Sequence, residues 1–269
     1  MVRRRLDAEL VRRGLARSRQ DASDLVTAGR VKVAGLTAQK SATQVDAGVA
    51  ITVSDSGPES APVYASRGAI KLLGALDVFE PRGLVVSGKR CLDAGASTGG
   101  FTDVLLRAGA RQVVAVDVGY GQLAWSLQNH PRVAVRDRTN VRDITLDTTD
   151  GPVDLVVADL SFISLRLVLP ALVAVSGPDA DLVLMVKPQF EVGKDRLPSG
   201  GVVRDRLMRR DAVIGVADAA AVVGFGVLGV TASPLPGPAG NVEYFLWLHR
   251  DAPLLSTADV DRAIEEGPT

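Results

Sequence analysis

The stretch Cys91-Leu92-Asp93-Ala94-Gly95-Ala96-Ser97-Thr98-Gly99-Gly100-Phe101-Thr102 decides the fold of this 269-residue chain. Residues 90–92 close an apolar run that reads as a buried strand, the glycines as a tight turn, and residues 102–107 as the opening of a helix. Gly95, Ser97, Gly99 and Gly100 let the backbone turn sharply and approach a ligand closely. The amides at the start of the following helix face whatever sits on that turn. Asp93 stands at the strand end, before the glycines, and Asp117 closes the next apolar run, Gln112-Val113-Val114-Ala115-Val116.

An acid at the tip of the second strand suits bidentate hydrogen bonding to a ribose diol. An acid beside the turn does not suit a pyrophosphate, which Asp93 would repel. A nucleoside bearing an ammonium group would be attracted. S-adenosylmethionine is such a ligand and fits better than NAD, the alternative. Asp93 and Gly95 are assigned to its methionine end, with Ser97, Thr98, Gly99, Gly100 and Phe101 forming the turn. Asp117 takes the ribose, and Asp137 or Asn140, after the third strand, faces the adenine.

Outward from this stretch, apolar runs alternate with helical patterns. Strands are expected at residues 113–117, 133–135, 153–159, 182–187, 227–232 and 244–248. Helices are expected at 121–129, with Leu123, Trp125 and Leu127 packing inward, at 165–175 and at 204–223. Upstream, residues 66–79 read as a helix with Ile70, Leu72, Leu73, Leu76 and Phe79 inward and Lys71 on its flank. Strand–helix alternation with Val-rich strands predicts an α/β Rossmann-like sheet, mainly parallel, with helices on both faces and one antiparallel edge. Residues 251–269 read as a weakly tethered tail.

The formal net charge is zero, but its distribution is uneven. Residues 1–50 carry ten basic side chains against five acidic ones. A basic head on an acidic body points to a polyanion as the head's partner. The single cysteine and two histidines exclude an internal disulfide and leave no cysteine- or histidine-based metal site. No apolar run is long enough to span a membrane and no leader is visible, so a soluble cytoplasmic protein is expected. In the head, Leu6, Leu10 and Val11 share a helix face, Ser18 with Asp21 makes a capping box, and Ala22, Leu25 and Val26 face a second helix inward. Val31 and Val33 read as a strand, Ala34-Gly35 as a turn, and residues 45–53, with Val49, Ile51 and Val53, as further strand.

Arg5-Leu6-Asp7, Gly14-Leu15-Ala16, Ser18-Arg19, Ala22, Gly29-Arg30-Val31 and Val33 resemble the S-four-type RNA-binding domain, an α+β module. The resemblance implies that Arg4, Arg12, Arg17, Arg19 and Arg30 contact RNA phosphates. Ser66, Arg67, Lys71 and Leu72, then Asp159, Lys187 and Glu243, resemble the Lys–Asp–Lys–Glu tetrad of the FtsJ-like ribose methyltransferases in type and order. That family implies catalytic roles for Lys71, Asp159, Lys187 and Glu243. Lys187 then either takes the proton of a ribose 2′-hydroxyl or stabilises the alkoxide, with Lys71 holding the hydroxyl and the carboxylates orienting the lysines. The implied domains are 1–58 for RNA binding, a linker at 59–65, the methyltransferase at 66–250 and the tail at 251–269.

Both modules together, with Asp159-Leu160-Ser161-Phe162-Ile163-Ser164 and Lys187-Pro188-Gln189-Phe190-Glu191, resemble the TlyA family. That family methylates cytidine 2′-hydroxyls in ribosomal RNA and also carries a haemolysin label. Ribosomal RNA or ribosomal subunits, not DNA, are the implied partners. Mycobacterial members have a basic–Ala–Trp–Val linker where this chain has Pro62-Val63-Tyr64-Ala65, keeping the aromatic but not the basic residue. The competing readings are a non-catalytic RNA-binding protein and a membrane-active haemolysin.

Overall fold

A computed structural model describes residues 3–46, 48–54 and 64–268. The chain divides into two compact units, residues 1–63 and 64–269. Most of the linker expected at 59–65 lies outside the described residues, and Tyr64 and Ala65 belong to the larger unit.

The smaller unit opens with β1 (Arg3–Arg5), α1 (Leu6–Arg12) and α2 (Arg19–Thr27). Ser18 caps α2, its hydroxyl accepting from the Asp21 amide at 3.1 Å, while Asp21 accepts from the Arg17 amide at 2.7 Å. The strands β2 (Val31–Val33), β3 (Leu36–Thr37) and β5 (Ile51–Val53) form an antiparallel sheet in the order β3-β2-β5. β4 (Gln44–Asp46) pairs instead with β1, a strand of three arginines that no apolar periodicity announces. Leu6, Leu10, Ala22, Val26, Val31, Val45 and Ile51 make this unit's core.

The larger unit begins with α3 (Ala69–Phe79) and continues through β6 (Arg90–Ala94), α4 (Gly100–Arg107), β7 (Gln112–Val116), α5 (Trp125–Gln128) and β8 (Val133–Arg136). Then come β9 (Val153–Ala158), α6 (Leu165–Ala174), β10 (Ser176–Val186), α7 (Pro188–Glu191), α8 (Arg206–Val222), β11 (Gly226–Ala232), β12 (Tyr244–His249) and α9 (Thr257–Glu266). One seven-stranded sheet runs β11-β12-β10-β9-β6-β7-β8. β6 to β10 are parallel, and β12 is antiparallel to both neighbours. All five β6 residues are buried because helices cover both faces, which is why this strand shows no polar alternation. Leu72, Leu76 and Phe79 of α3 pack on one face with Val157, Met185 and Phe245, and α6, α8 and α9 pack on the other with Val156, Leu184 and Leu246. From β6 the chain builds outward through β7 and β8, then returns to place β9 on β6's other side. The strand order therefore reverses between β6 and β9, leaving a crevice beyond their carboxyl ends.

Four expectations are corrected. Residues 257–266 form α9, with Val260, Ala263 and Ile264 buried and Asp261 paired to Arg210 at 2.7 Å, so the segment expected as a tail is a packed part of the larger unit. Lys71 is buried rather than flanking, whereas Ile70 is 47% exposed. Trp125 is 76% exposed, while Leu123 and Leu127 are buried as expected. The helix expected over 121–129 shrinks to Trp125–Gln128, because Gly121 adopts φ +63° and its amide donates to Asp137 at 2.9 Å. Among the described residues no helix is long and apolar enough to cross a membrane.

Candidate active site

The glycine turn lies at the crevice where the strand order reverses. Gly95 takes φ +87°, and a Cβ there would lie 2.7 Å from the Asp159 carbonyl oxygen. Gly100 begins α4 against the approach to α3, where a Cβ would collide with the Ser66 hydroxyl and lie 2.9 Å from the Ala69 amide. The turn thus needs small residues because the protein's own backbone closes on it, not only because a ligand approaches. It bounds a 180 Å³ cleft lined by Gly95, Ala96, Ser97, Thr98, Gly100, Phe101, Asp159, Ser66 and Gly68. Gly99 is the residue before α4, and Ser97 is held at φ +47°.

Asp93 lies beneath this turn, 1% exposed, rather than on the cleft wall. Thr102 donates to its Oδ2 at 2.6 Å, while Oδ1 is buried and finds no partner among the described residues. Burial, opposed by the Thr102 hydrogen bond and reinforced by the charge of Asp159, pushes this carboxyl up to about 7. A cation above the turn would offset that burial. Asp117 accepts from the Ser97 amide at 2.8 Å and the Gly119 amide at 2.7 Å, so the loops it joins fix its orientation. Asp137 braces Gly121, and Asn140 accepts from the Arg142 amide at 3.1 Å.

Two lysine–carboxylate pairs form at the strand ends. Lys187 directly follows β10, and its Nζ lies 2.6 Å from Asp159 Oδ1 and donates to the Ser161 hydroxyl at 3.0 Å. Lys71 reaches from α3 to Glu243 at 2.6 Å, beside the Met185 sulfur at 4.0 Å. The register explains how they meet. Val186 pairs with Tyr244 and Leu184 with Ala158, so Lys187, Glu243 and Asp159 cap three adjacent strands. Both lysines are 7% exposed and Glu243 is 1% exposed. Buried ammonium groups persist only when paired in this way.

Apolar periodicity does not mark Ser161 or Phe162, which follow Asp159 by two and three residues. Phe162 adopts φ +64°, is 92% exposed, and meets Phe190 with ring centroids 5.4 Å apart. A bulky side chain in the left-handed region is strained, and such strain clusters at functional sites. A phenylalanine directly after a serine at the carboxyl end of a strand, outside any periodic apolar face, is the signal that could have found it. On the opposite flank Arg107 stacks over Tyr64 at 4.4 Å, and the Ala65 amide donates to Asp103 at 2.8 Å.

The five arginines expected to contact phosphate each have an acid or a backbone carbonyl as partner. Arg12 binds Glu9 at 2.6 Å, Arg19 binds Asp7 at 3.2 Å, Arg4 lies 3.8 Å from Glu9 and Arg17 lies 3.6 Å from Asp21. Arg30 donates to the Ser54 carbonyl at 2.9 Å.

A reversing parallel sheet, a glycine turn between two acids and paired lysines at the strand ends define a methyltransferase. The FtsJ-like methyltransferase family model matches residues 64–250, and the S4 domain model matches residues 4–51. The 16S/23S rRNA (cytidine-2′-O)-methyltransferase TlyA of Mycobacterium tuberculosis is 58% identical over 100% of both chains. Hemolysin A of Brachyspira hyodysenteriae is 35% identical over 89% of this chain and 97% of that one. A solved structure described as a hemolysin candidate from Streptococcus thermophilus superposes with TM-score 0.76 at 35% identity, covering 99% of this chain and 96% of that one. The chain belongs to the TlyA family.

Proposed function

We propose that this enzyme transfers a methyl group from S-adenosylmethionine to the 2′-hydroxyl of cytidines in ribosomal RNA. The observation that carries this reading is the two buried lysine–carboxylate pairs capping adjacent strands beside the glycine-turn cleft. When bound, S-adenosylmethionine supplies a methyl group already activated by its sulfonium charge. The residues fit it. Asp93 offers an unpartnered buried oxygen under the turn, and Asp117 is fixed at the tip of β7. Gly95, Ser97, Thr98, Gly99, Gly100 and Phe101 would hold the methionine end, Asp117 the ribose diol and Asp137 the adenine side.

An ammonium has three N–H donors. Lys187 directs them toward Asp159 and Ser161, with one left for an oxygen entering the cleft. In this role Lys187 polarises the 2′-hydroxyl and stabilises the developing oxyanion as its proton passes to solvent water. Lys71, fixed by Glu243, holds the same hydroxyl in line, and positioning supplies much of the rate. Phe162 presents a ring face suited to an unstacked nucleobase. In the S4 unit Arg4, Arg12, Arg17, Arg19 and Arg30 would contact phosphates and position RNA without reading its sequence.

Purified protein incubated with S-adenosylmethionine and ribosomal RNA of each subunit should leave a 2′-O-methyl mark on cytidine, located by mass mapping. In single turnover, Lys187→Ala should lose about 10²–10³-fold in rate, and Lys187→Arg should retain most of it. An unmarked RNA overturns the activity. An arginine variant as slow as the alanine one, across pH, overturns the stabilising role and leaves Lys187 as the base, because guanidinium does not release its proton.

A further inference from the structure

We propose that Asp7 and Glu9 are positioning residues that hold four exposed arginines of the S4 unit, Arg4, Arg5, Arg12 and Arg19, in one preorganised phosphate-binding array. The inference rests on the proposed RNA contacts of that unit and adds the element that sets their geometry. Glu9 is fully covered and Asp7 is 4% exposed, although both lie in the first turns of a short helix. Glu9 takes Arg12 through two donors, Nε at 2.8 Å and Nη2 at 2.6 Å, and Arg13 Nε at 2.8 Å, with Arg4 at 3.8 Å. Asp7 takes Arg5 Nη2 at 2.7 Å and Arg19 Nη2 at 3.2 Å, and its Oδ1 accepts the Ala8 amide at 2.7 Å.

The arrangement is asymmetric. The carboxylates are hidden, while the side chains of Arg4, Arg5, Arg12 and Arg19 stay 46%, 46%, 48% and 60% exposed. Each guanidinium has five N–H donors and gives at most two strong ones to its carboxylate, so donors remain for phosphate oxygens. Arginines of β1, α1 and α2 thus share two anchors, which fixes the spacing between guanidiniums from three separate elements. Hydrogen bonds from Arg5 and Arg12 hold both carboxyls down at about 2, so the anchors stay charged wherever the enzyme works. Fixing long side chains before binding removes the ordering loss that a phosphate contact would otherwise incur.

Net charge and preorganisation predict opposite signs. Glu9→Gln and Asp7→Asn each make the face more positive, so charge alone predicts tighter RNA binding with a steeper salt dependence. Preorganisation predicts weaker binding in spite of the added charge. The test measures affinity of the full-length protein for a 23S rRNA transcript and for poly(U) over a range of salt. Glu9→Gln keeps the side chain's shape and one acceptor oxygen. It should bind the transcript about 3- to 10-fold more weakly, while poly(U) affinity holds or rises.

Arg12→Ala and Arg19→Ala serve as the reference. If neither weakens RNA binding nor lowers the salt slope, the arginines do not contact RNA and the underlying reading fails. If they do weaken it, and Glu9→Gln and Asp7→Asn bind the transcript as tightly as the parent or tighter, the positioning role is overturned. Hydrogen exchange of the Ala34 and Ser54 amides, which donate to the Ala50 and Arg30 carbonyls at 2.8 and 2.9 Å across the β2–β5 pair, reports the fold. Lost protection in both acid variants would show that the carboxylates hold the fold rather than the array, and that also overturns the proposal.

Discussion

Asp93 is a carboxylic acid placed where ionisation is costly. Its neighbours on β6 are buried, and among the described residues only the Thr102 side chain donates to it. Its carboxyl titrates near 7 in the fold against 3.8 in the unfolded chain. The folded state therefore keeps this proton longer, so stability from this group is full below about pH 4 and declines as pH rises toward 7. Asp93→Asn keeps an acceptor for Thr102 and should flatten that slope, leaving the variant more stable than the parent above pH 7 in thermal unfolding. A bound cation above the turn favours the ionised acid. S-adenosylmethionine binding near pH 7 should therefore release protons, seen calorimetrically in buffers of different ionisation enthalpy. Asp93→Asn should remove the release; a variant that still releases them would exclude Asp93 as the source.

At the scale of elements, α9 and α7 do work that their length does not suggest. α9 contributes Val260, Ala263 and Ile264 to the core beneath β11 and α8. Ile264→Ala should cost about 2–5 kcal/mol in chemical denaturation, as for a core residue. A change within about 0.5 kcal/mol would instead indicate a surface segment. α7 holds the loop after β9 from the other side. Glu191 accepts from the Ser164 hydroxyl at 2.5 Å and from the Leu165 amide at 2.7 Å, capping α6 across the fold. That clasp joins the segment bearing Ser161 and Phe162 to the one bearing Lys187 and Phe190. The strained Phe162 backbone is thereby held from both ends, which a free loop could not do.

For the whole molecule, the division into two units sets what can be separated. The smaller unit's core of Leu6, Leu10, Val26 and Val31 shares no residue with the larger unit's core clusters, the two largest of which flank its sheet. A protein beginning at Tyr64 should unfold cooperatively and bind S-adenosylmethionine with parental affinity in calorimetry. Its affinity for ribosomal RNA should fall steeply, and methylation with it. Parental methylation by the truncated protein would show that the S4 unit does not deliver the substrate.

The sequence by itself determined the order of most strands and helices, the glycine turn between Asp93 and Asp117, the basic head, and the four residues of the proposed tetrad as types in sequence. These are local properties. Apolar spacing along a strand or helix, and the residue that ends it, are written within a few neighbours. Only the tertiary structure decided that Lys71 lies inside, because its partner Glu243 stands 172 residues away, just before the strand that pairs with the one leading into Lys187. It alone showed that Asp93 lies under the cleft instead of in it, that Asp159 and Lys187 pair across parallel strands, and that Phe162 points outward. The last segment's three buried residues become a core stripe only once β11 and α8 supply a surface for them. Charge pairs and burial depend on sheet register and on which faces the helices cover, and no window of neighbouring residues contains that information.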